Sequence, residues 1–176
     1  MNVLAKMSDR VASNAMPTLK SIRIAVIDDH PMFRQSVVRM LKGVDGIEVV
    51  GEGRTAADAL KVAKELVPDV MLLDLRLPGG GTEAVASISR VCPSVRTVVL
   101  TASENEQDIA LALKAGARGY IMTSSSGREV VETVRAVSRG DSRTAPKLAP
   151  RLLITNGERI KTIANDNLRD LDFPEE

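Results

Sequence analysis

The sequence predicts an α/β protein built on a doubly wound, five-stranded parallel sheet. β-Branched apolar runs recur five times, each followed by a segment with helical spacing. Gly and Pro residues punctuate the joins between runs and helices. The first, third and fourth runs end in Asp28-Asp29, Asp74 and Thr101. Right-handed crossovers carry all such ends to one edge of a parallel sheet.

The first strand is the run Ile22-Arg23-Ile24-Ala25-Val26-Ile27, which stops abruptly at Asp28-Asp29-His30-Pro31. Pro31 suits the first position of a helix, where its missing N–H is no loss. Met32, Val37 or Val38, and Leu41 follow at helical spacing, and Gly43 supplies the stop. Residues 47–52 form a short alternating strand. Thr55 caps a helix with Ala59, Leu60, Ala63 and Leu66, ended by Pro68. Val70-Met71-Leu72-Leu73 is the third run and ends in Asp74. The loop Pro78-Gly79-Gly80-Gly81 follows, with Thr82 as the expected cap of a helix through Ala84, Val85 and Ile88. Residues 95–100 are the fourth run, ending in Thr101; 104–115 read as a helix closed by Gly116. Residues 119–122 make a fifth, short strand. Ser126 or Ser125 then caps a helix through Val130, Val131, Val134 and Val137, closed by Gly140.

The flanks differ in character. Residues 1–20 read as a flexible or weakly helical leader, with Met7 and Met16 as alternative start positions. Residues 141–150 are rich in Ser, Thr, Pro and Arg and read as a linker. Modest helical patterning at 147–154 and 157–171 predicts a short C-terminal helical tail before an acidic end. The expected division is therefore 1–20, a core domain at 21–140, and a linker with tail at 141–176.

Composition narrows the function. The 176 residues are 44% apolar, enough for one core with a tail left over. Lys plus Arg (24) nearly balances Asp plus Glu (23), so there is no basic field to draw in nucleic acid or an anionic membrane. Aromatic residues are 2% of the chain, too few for stacking platforms on single-stranded nucleic acid. The single Cys92 rules out an internal disulfide or a multi-cysteine zinc site and reads as an inert, partly buried thiol in a reducing compartment. No apolar run approaches the roughly 18 residues of a membrane span, and no secretory signal opens the sequence, so a cytoplasmic protein is expected.

Asp28 and Asp29 alone are open to two readings, a solvated acidic turn or a buried pair needing a cation or a shared proton. Convergence with Asp74 and Thr101 from other strands favours the second. Asp29 and Asp74 make a hard oxygen site suited to Mg²⁺, which takes a few carboxylates, water and substrate phosphate. Asp74, the only acid on its strand, is the natural nucleophile for a phosphoryl group. Thr101, one strand away, can hydrogen-bond a phosphoryl oxygen. His30, the only histidine, reads as a helix-capping or loop residue.

Over about residues 20–140 the sequence resembles a response-regulator receiver domain of two-component signalling. The resemblance is carried by Asp28-Asp29, by Asp74 in Leu-Leu-Asp-Leu-Arg-Leu-Pro, by Thr101-Ala102 and by Gly116-Ala117-Arg118-Gly119-Tyr120. It implies a flavodoxin-like (βα)5 fold and a phosphoacceptor at Asp74, charged by a histidine kinase or phosphotransfer protein. It implies Mg²⁺ on Asp29, Asp74 and the backbone carbonyl of Arg76, with Asp28 acting mainly through water. Thr101 and Tyr120 become a switch pair, in which Tyr120 turns inward as Thr101 moves toward the phosphoryl group. The output face is then the helix at 104–115, the strand at Tyr120 and the helix after Ser126. Such a chain is a signalling receiver rather than an enzyme acting on other substrates.

One departure stands out. Members of that family carry a lysine three residues after the Tyr120 position, and here the residue is Thr123, followed by three serines. Thr123 has neither the charge nor the reach of a lysine, and the next cation after it is Arg128, inside the following helix. A weakened switching response follows, and a degenerate receiver that works by binding alone is the alternative. The sequence opening at Asp28 is most similar to receivers that precede a helix-turn-helix output domain, which takes on the order of 60 residues. Only 26 follow Pro150, so the chain is expected not to bind DNA itself. The apolar positions of the tail suggest packing on the receiver or a homodimer. Two other classes fit less well. An aspartyl phosphatase is disfavoured because its acids alternate at the first strand, whereas Asp28 and Asp29 are adjacent. A dinucleotide-binding domain is disfavoured because no Gly-x-Gly-x-x-Gly follows that strand.

Overall fold

The computed structural model describes residues 21–102 and 105–144. The predicted leader and the helical patterning of the tail lie outside the described residues. In chain order the elements are β1 (Ile22–Ile27), α1 (Pro31–Lys42), β2 (Ile47–Gly53), α2 (Ala56–Leu66), β3 (Val70–Leu73) and α3 (Gly81–Val91). They continue with β4 (Arg96–Thr101), α4 (Glu106–Ala115), β5 (Gly119–Met122), α5 (Gly127–Ser138) and β6 (Arg143–Thr144).

The strands form one sheet in the order β2-β1-β3-β4-β5-β6, with every neighbouring pair parallel. The predicted doubly wound fold is the observed one. Alternation along the strands separates two cores. Ala25, Ile27, Met71, Leu73, Val99 and Tyr120 face α2, α3 and α4. Ile24, Val26, Val70, Leu72, Val98, Leu100 and Ile121 face α1 and α5. Each fully buried large aliphatic side chain in these layers contributes about 1.5–3 kcal/mol over its exposed state. That periodicity fixes which residues can leave the strand ends toward a common cleft. In β2 the register slips between Ile24 and Ala25, whose partners are Val49 and Gly51, so Val50 is a bulged residue on the edge strand.

Strand order reverses at β1, whose neighbours are β2 on one side and β3 on the other. Helices α1 and α2 leave the sheet on opposite faces there, opening a crevice beyond the carboxyl ends of β1 and β3. Asp28, Asp29 and Asp74 are the residues that follow those two strands.

Three local expectations are corrected. Thr82 does not cap α3: Gly80 holds the N-cap position, without a side-chain bond, and Gly81 is the first helical residue. The cause is tertiary, because a Cβ on Gly81 would lie 2.5 Å from the Leu75 backbone and 2.6 Å from the Asp74 carbonyl oxygen. The start of α4 is two residues later than expected, where Asn105 accepts a hydrogen bond from the Gln107 N–H at 2.9 Å. The linker beginning at 141 is not wholly irregular, since Arg143 and Thr144 pair in parallel with Gly119 and Tyr120. The caps at Thr55 and Ser126 are observed, each completed by an acid three residues on, Asp58 and Glu129.

Gly81 seats the α3 N-terminus directly on the backbone of Asp74. Gly81→Ala should therefore lower stability by about 1–3 kcal/mol through overpacking, measured by urea or thermal unfolding. A change within 0.5 kcal/mol, taking about that as the error of the method, would show that the loop yields freely.

Candidate acidic site at the strand ends

The site is assembled by register. Ile27 of β1 is the Cα partner of Leu73 of β3, so the next residues, Asp28 and Asp74, emerge side by side. The ladder continues one step further, with the Asp74 N–H donating to the Ile27 carbonyl at 3.0 Å. On the other side the Asp28 N–H donates to the Gly53 carbonyl of β2 at 3.1 Å. Asp28 and Asp74 are only 4% and 6% exposed. The chain then turns, and the His30 N–H donates to Asp28 Oδ1 at 2.7 Å. One ligand atom from each of Asp28, Asp29, His30 and Asp74 lies within 4.8 Å of the others.

Such crowding has an electrostatic cost. Two ionised carboxylates at about 5 Å repel by about 3 kcal/mol at an effective dielectric constant near 20. Burial pushes the Asp28 carboxyl above the ordinary value of 3.8, and the charges of Asp74 and Asp29 push it the same way. The His30 backbone N–H and the His30 charge act against that rise. Asp29 Oδ1 is buried and accepts no hydrogen bond among the described residues. The His30 imidazole Nδ1 lies 2.9 Å from it, so the contact is an ion-pair approach without hydrogen-bond alignment. A buried carboxylate oxygen without a hydrogen bond, amid other carboxylates, is what a small divalent cation would satisfy.

The remaining residues singled out in the sequence surround this cluster. Thr101 ends β4 and is fully buried. The Thr123 N–H donates to the Thr101 carbonyl at 3.0 Å, extending the β4–β5 pairing by one residue and tying the two positions together. Tyr120 is 0% exposed and packs inward, in the core layer beneath α4. Burial, then the charges of Asp108 and Asp74, push its hydroxyl up to about 12, against the opposing charge of Arg76. The Arg76 side chain itself is exposed, in the loop after Asp74.

A family model described as the response regulator receiver domain matches residues 24–135. The chain belongs to this family. Among curated relatives, the response regulator GacA of Pseudomonas aeruginosa is 37% identical over 134 residues, covering 76% of this chain and 63% of that protein. The response regulator UvrY of Escherichia coli strain K12 is 34% identical over 142 residues, covering 80% of this chain and 65% of that protein. This receiver thus spans less than two thirds of the length of either relative. Among solved structures, a LuxR-family two-component response regulator from Aurantimonas sp. SI85-9A1 superposes with a TM-score of 0.72 at 32% identity, covering 76% of this chain and 96% of that one. The signal receiver domain of the putative response regulator NarL from Mycobacterium tuberculosis gives 0.67 at 35% identity, covering 69% and 98%.

Of two further residues near the acids, His30 reads as a helix-capping or loop residue and Arg34 was missed in the sequence. His30 does occupy the N-cap position of α1, but without a side-chain cap bond. Its ring, 69% exposed, turns back over the acids instead. Arg34 donates from Nη1 to the Asp28 carbonyl at 2.5 Å. Its presence in the first turn of α1, against the helix dipole, was the available signal. Arg128, the cation expected nearest the site, pairs with Glu132 at 2.9 Å on the exposed face of α5. Cys92 is half-buried at the end of α3, as expected. Among the described residues no helix is long and apolar enough to cross a membrane.

Because the folded receiver raises the Asp28 pKa, it holds that proton to higher pH than the unfolded chain does. The corresponding stability is complete below 3.8 and is lost as pH rises through the raised value. Asp28→Asn, which keeps an acceptor for the His30 N–H, should therefore stabilise the metal-free chain at pH 7. Thermal melts from acid to neutral pH check this: the gain should vanish near the ordinary carboxylate value, and a variant less stable than the unmutated chain at pH 7 would contradict it.

Proposed function

We propose that this receiver is a phosphoacceptor signalling switch, in which Asp74 takes a phosphoryl group and an interaction surface of the domain changes in response. The observation that carries this reading is the meeting of Asp28, Asp29 and Asp74 within 4.8 Å, at the ends of adjacent strands, in a chain of the receiver family. A carboxylate oxygen of Asp74 attacks the phosphorus of a phosphohistidine on a kinase or phosphotransfer protein. The P–N bond breaks, its electron pair leaves with the imidazole, and that nitrogen takes up a proton.

Asp29, Asp74 and the Arg76 backbone carbonyl would hold Mg²⁺, with Asp28 acting through water. When bound, Mg²⁺ offsets the negative charge of the acids and of the phosphoryl oxygens. The Asp29 Oδ1 without a hydrogen bond and the three converging carboxylates support that choice of cation. The buried Thr101 hydroxyl is one strand from Asp74 and serves as donor to a phosphoryl oxygen. Tyr120 follows Thr101 through the packed β4–β5 pair, with Val99 as its Cα partner. Together with α4 and α5 it forms the output face. The receiver acts through proteins, including a possible second copy of itself, and its balanced charge offers no basic surface for nucleic acid. A cytoplasmic setting suits this chemistry.

Thr123 separates this receiver from most of its family. Its side chain is uncharged and short, so a phosphoryl group at Asp74 lacks the cation that would draw β5 toward it. Asp74 still accepts a phosphoryl group from phosphoryl donors, but the conformational response is weak. The second reading, a receiver that signals by protein binding without phosphorylation, is favoured by the same residue.

Acetyl phosphate with Mg²⁺ should produce one phosphoryl adduct on the unmutated chain by intact-mass spectrometry, and none on Asp74→Asn. Thr123→Lys should at the same time increase the difference between the phosphorylated and unmodified states in amide hydrogen exchange over β5. An adduct that persists in Asp74→Asn, or no adduct on either chain, would refute the phosphoacceptor reading and leave binding alone.

A further inference from the structure

The acid turn is held by a residue from one turn into the next helix. The backbone N–H of Arg34 donates to the His30 carbonyl at 3.0 Å. Its guanidinium Nη1 donates to the Asp28 carbonyl at 2.5 Å. One residue therefore grips both ends of the three-residue turn that presents Asp28 and Asp29. The guanidinium is itself oriented by β2, with Nε 3.5 Å from the Glu52 carboxylate. From the same strand Gly53 accepts the Asp28 N–H at 3.1 Å. Both backbone polar groups of Asp28 are thus engaged. The peptide between Asp28 and Asp29 cannot rotate without breaking the Arg34 bond, and that peptide sets the direction in which the Asp29 side chain leaves the backbone.

Charge adds to geometry. The β5–α5 loop offers the uncharged Thr123, His30 is largely exposed, and Arg128 is engaged on α5. The Arg34 side chain is 11% exposed and held against the acid turn. A cation early in a helix is opposed by the helix dipole, so its placement there needs a compensating contact, which the Asp28 carbonyl and Glu52 provide. Only a planar fork can engage both partners at once; an ammonium in the same place could reach one of them.

We propose that Arg34 is a positioning residue of the acid site: by clamping the Asp28 carbonyl it aims Asp29 at Asp74, so that the two carboxylates meet on one divalent cation. This rests on the reading of the site as a Mg²⁺ centre. The plainer role, a stitch between α1 and β2, would cost stability when lost but leave ion affinity where it was.

The two are separated by titrating MgCl2 into the full metal-free chain by calorimetry, for the unmutated protein and for Arg34→Gln, Arg34→Lys and Glu52→Gln, with melting temperatures measured alongside. Arg34→Gln should weaken Mg²⁺ binding by about tenfold, in the range seen for residues that orient metal ligands. Arg34→Lys should recover most of that loss, to within about threefold of the unmutated chain, because it keeps one donor and the charge. Glu52→Gln, which leaves the carbonyl clamp but frees the guanidinium, should weaken binding by about two- to threefold. The Mg²⁺ concentration for half-maximal labelling of Asp74 by acetyl phosphate should move in parallel. Affinity unchanged in Arg34→Gln, with only the melting temperature lowered, would overturn the proposal. Should that variant not fold, unchanged affinity in both of the others would overturn it equally. Failure of the unmutated chain to bind Mg²⁺ would overturn the reading of the site, and this inference with it.

Discussion

Three carboxylates brought together at the ends of two adjacent strands repel one another, and this repulsion organises the chemistry of the molecule. Parallel pairing leaves no freedom at this point: once Ile27 is opposite Leu73, Asp28 and Asp74 must emerge side by side. Burial holds the Asp28 carboxyl above its ordinary value, and the charges of Asp74 and Asp29 push it the same way. The chain relieves part of the repulsion with the His30 N–H on Asp28 and the imidazole beside Asp29. The buried Asp29 Oδ1, approached by that imidazole, still lacks a hydrogen bond among the described residues. A site that folds with such a deficit is prepared for a cation and for a ligand that arrives with one.

The rest of the fold keeps that arrangement from relaxing. The two apolar layers fix the strands from both faces, so the acids cannot separate by sliding the sheet. Gly81 brings the N-terminus of α3 onto the Asp74 backbone at a distance that no side chain would permit. Arg34 and Gly53 hold the Asp28 backbone at its carbonyl and its N–H. On the far side of the cleft the restraint is different in kind. Thr123 meets Thr101 through the backbone, and no charge projects from that loop to answer a change at Asp74. The acid side of this receiver is rigidly prepared, whereas its coupling to β5 rests on packing and main-chain hydrogen bonds.

How much of this could be read in the sequence depends on the range of the forces involved. The five strands and five helices were legible because apolar periodicity and terminal Gly, Pro, Ser and Thr are local signals, and the capping boxes at Thr55 and Ser126 show the same. The convergence of Asp28, Asp29 and Asp74 was legible too, since the handedness of crossovers alone carries strand ends to one edge. The late start of α4 is a local matter of the Asn105 cap, and the other failures are tertiary. Thr82 looks like a cap, but the backbone approach at Gly81 starts the helix two residues earlier. The two residues of β6 carry no apolar run and pair only because the chain after Gly140, at φ 101°, turns back along β5. His30 and Arg34 belong to the site through the shape of one turn, which no periodicity encodes.

The central claim is that Asp29 and Asp74 grip one divalent ion between them. It is tested most directly by counting the Mg²⁺ ions bound per chain in calorimetric titrations of the unmutated protein, Asp29→Asn and Asp74→Asn. The account predicts a single site in the unmutated chain, weakened at least about tenfold by either substitution, as expected when a direct oxygen ligand loses its charge. Equal Mg²⁺ affinity in all three chains would contradict it.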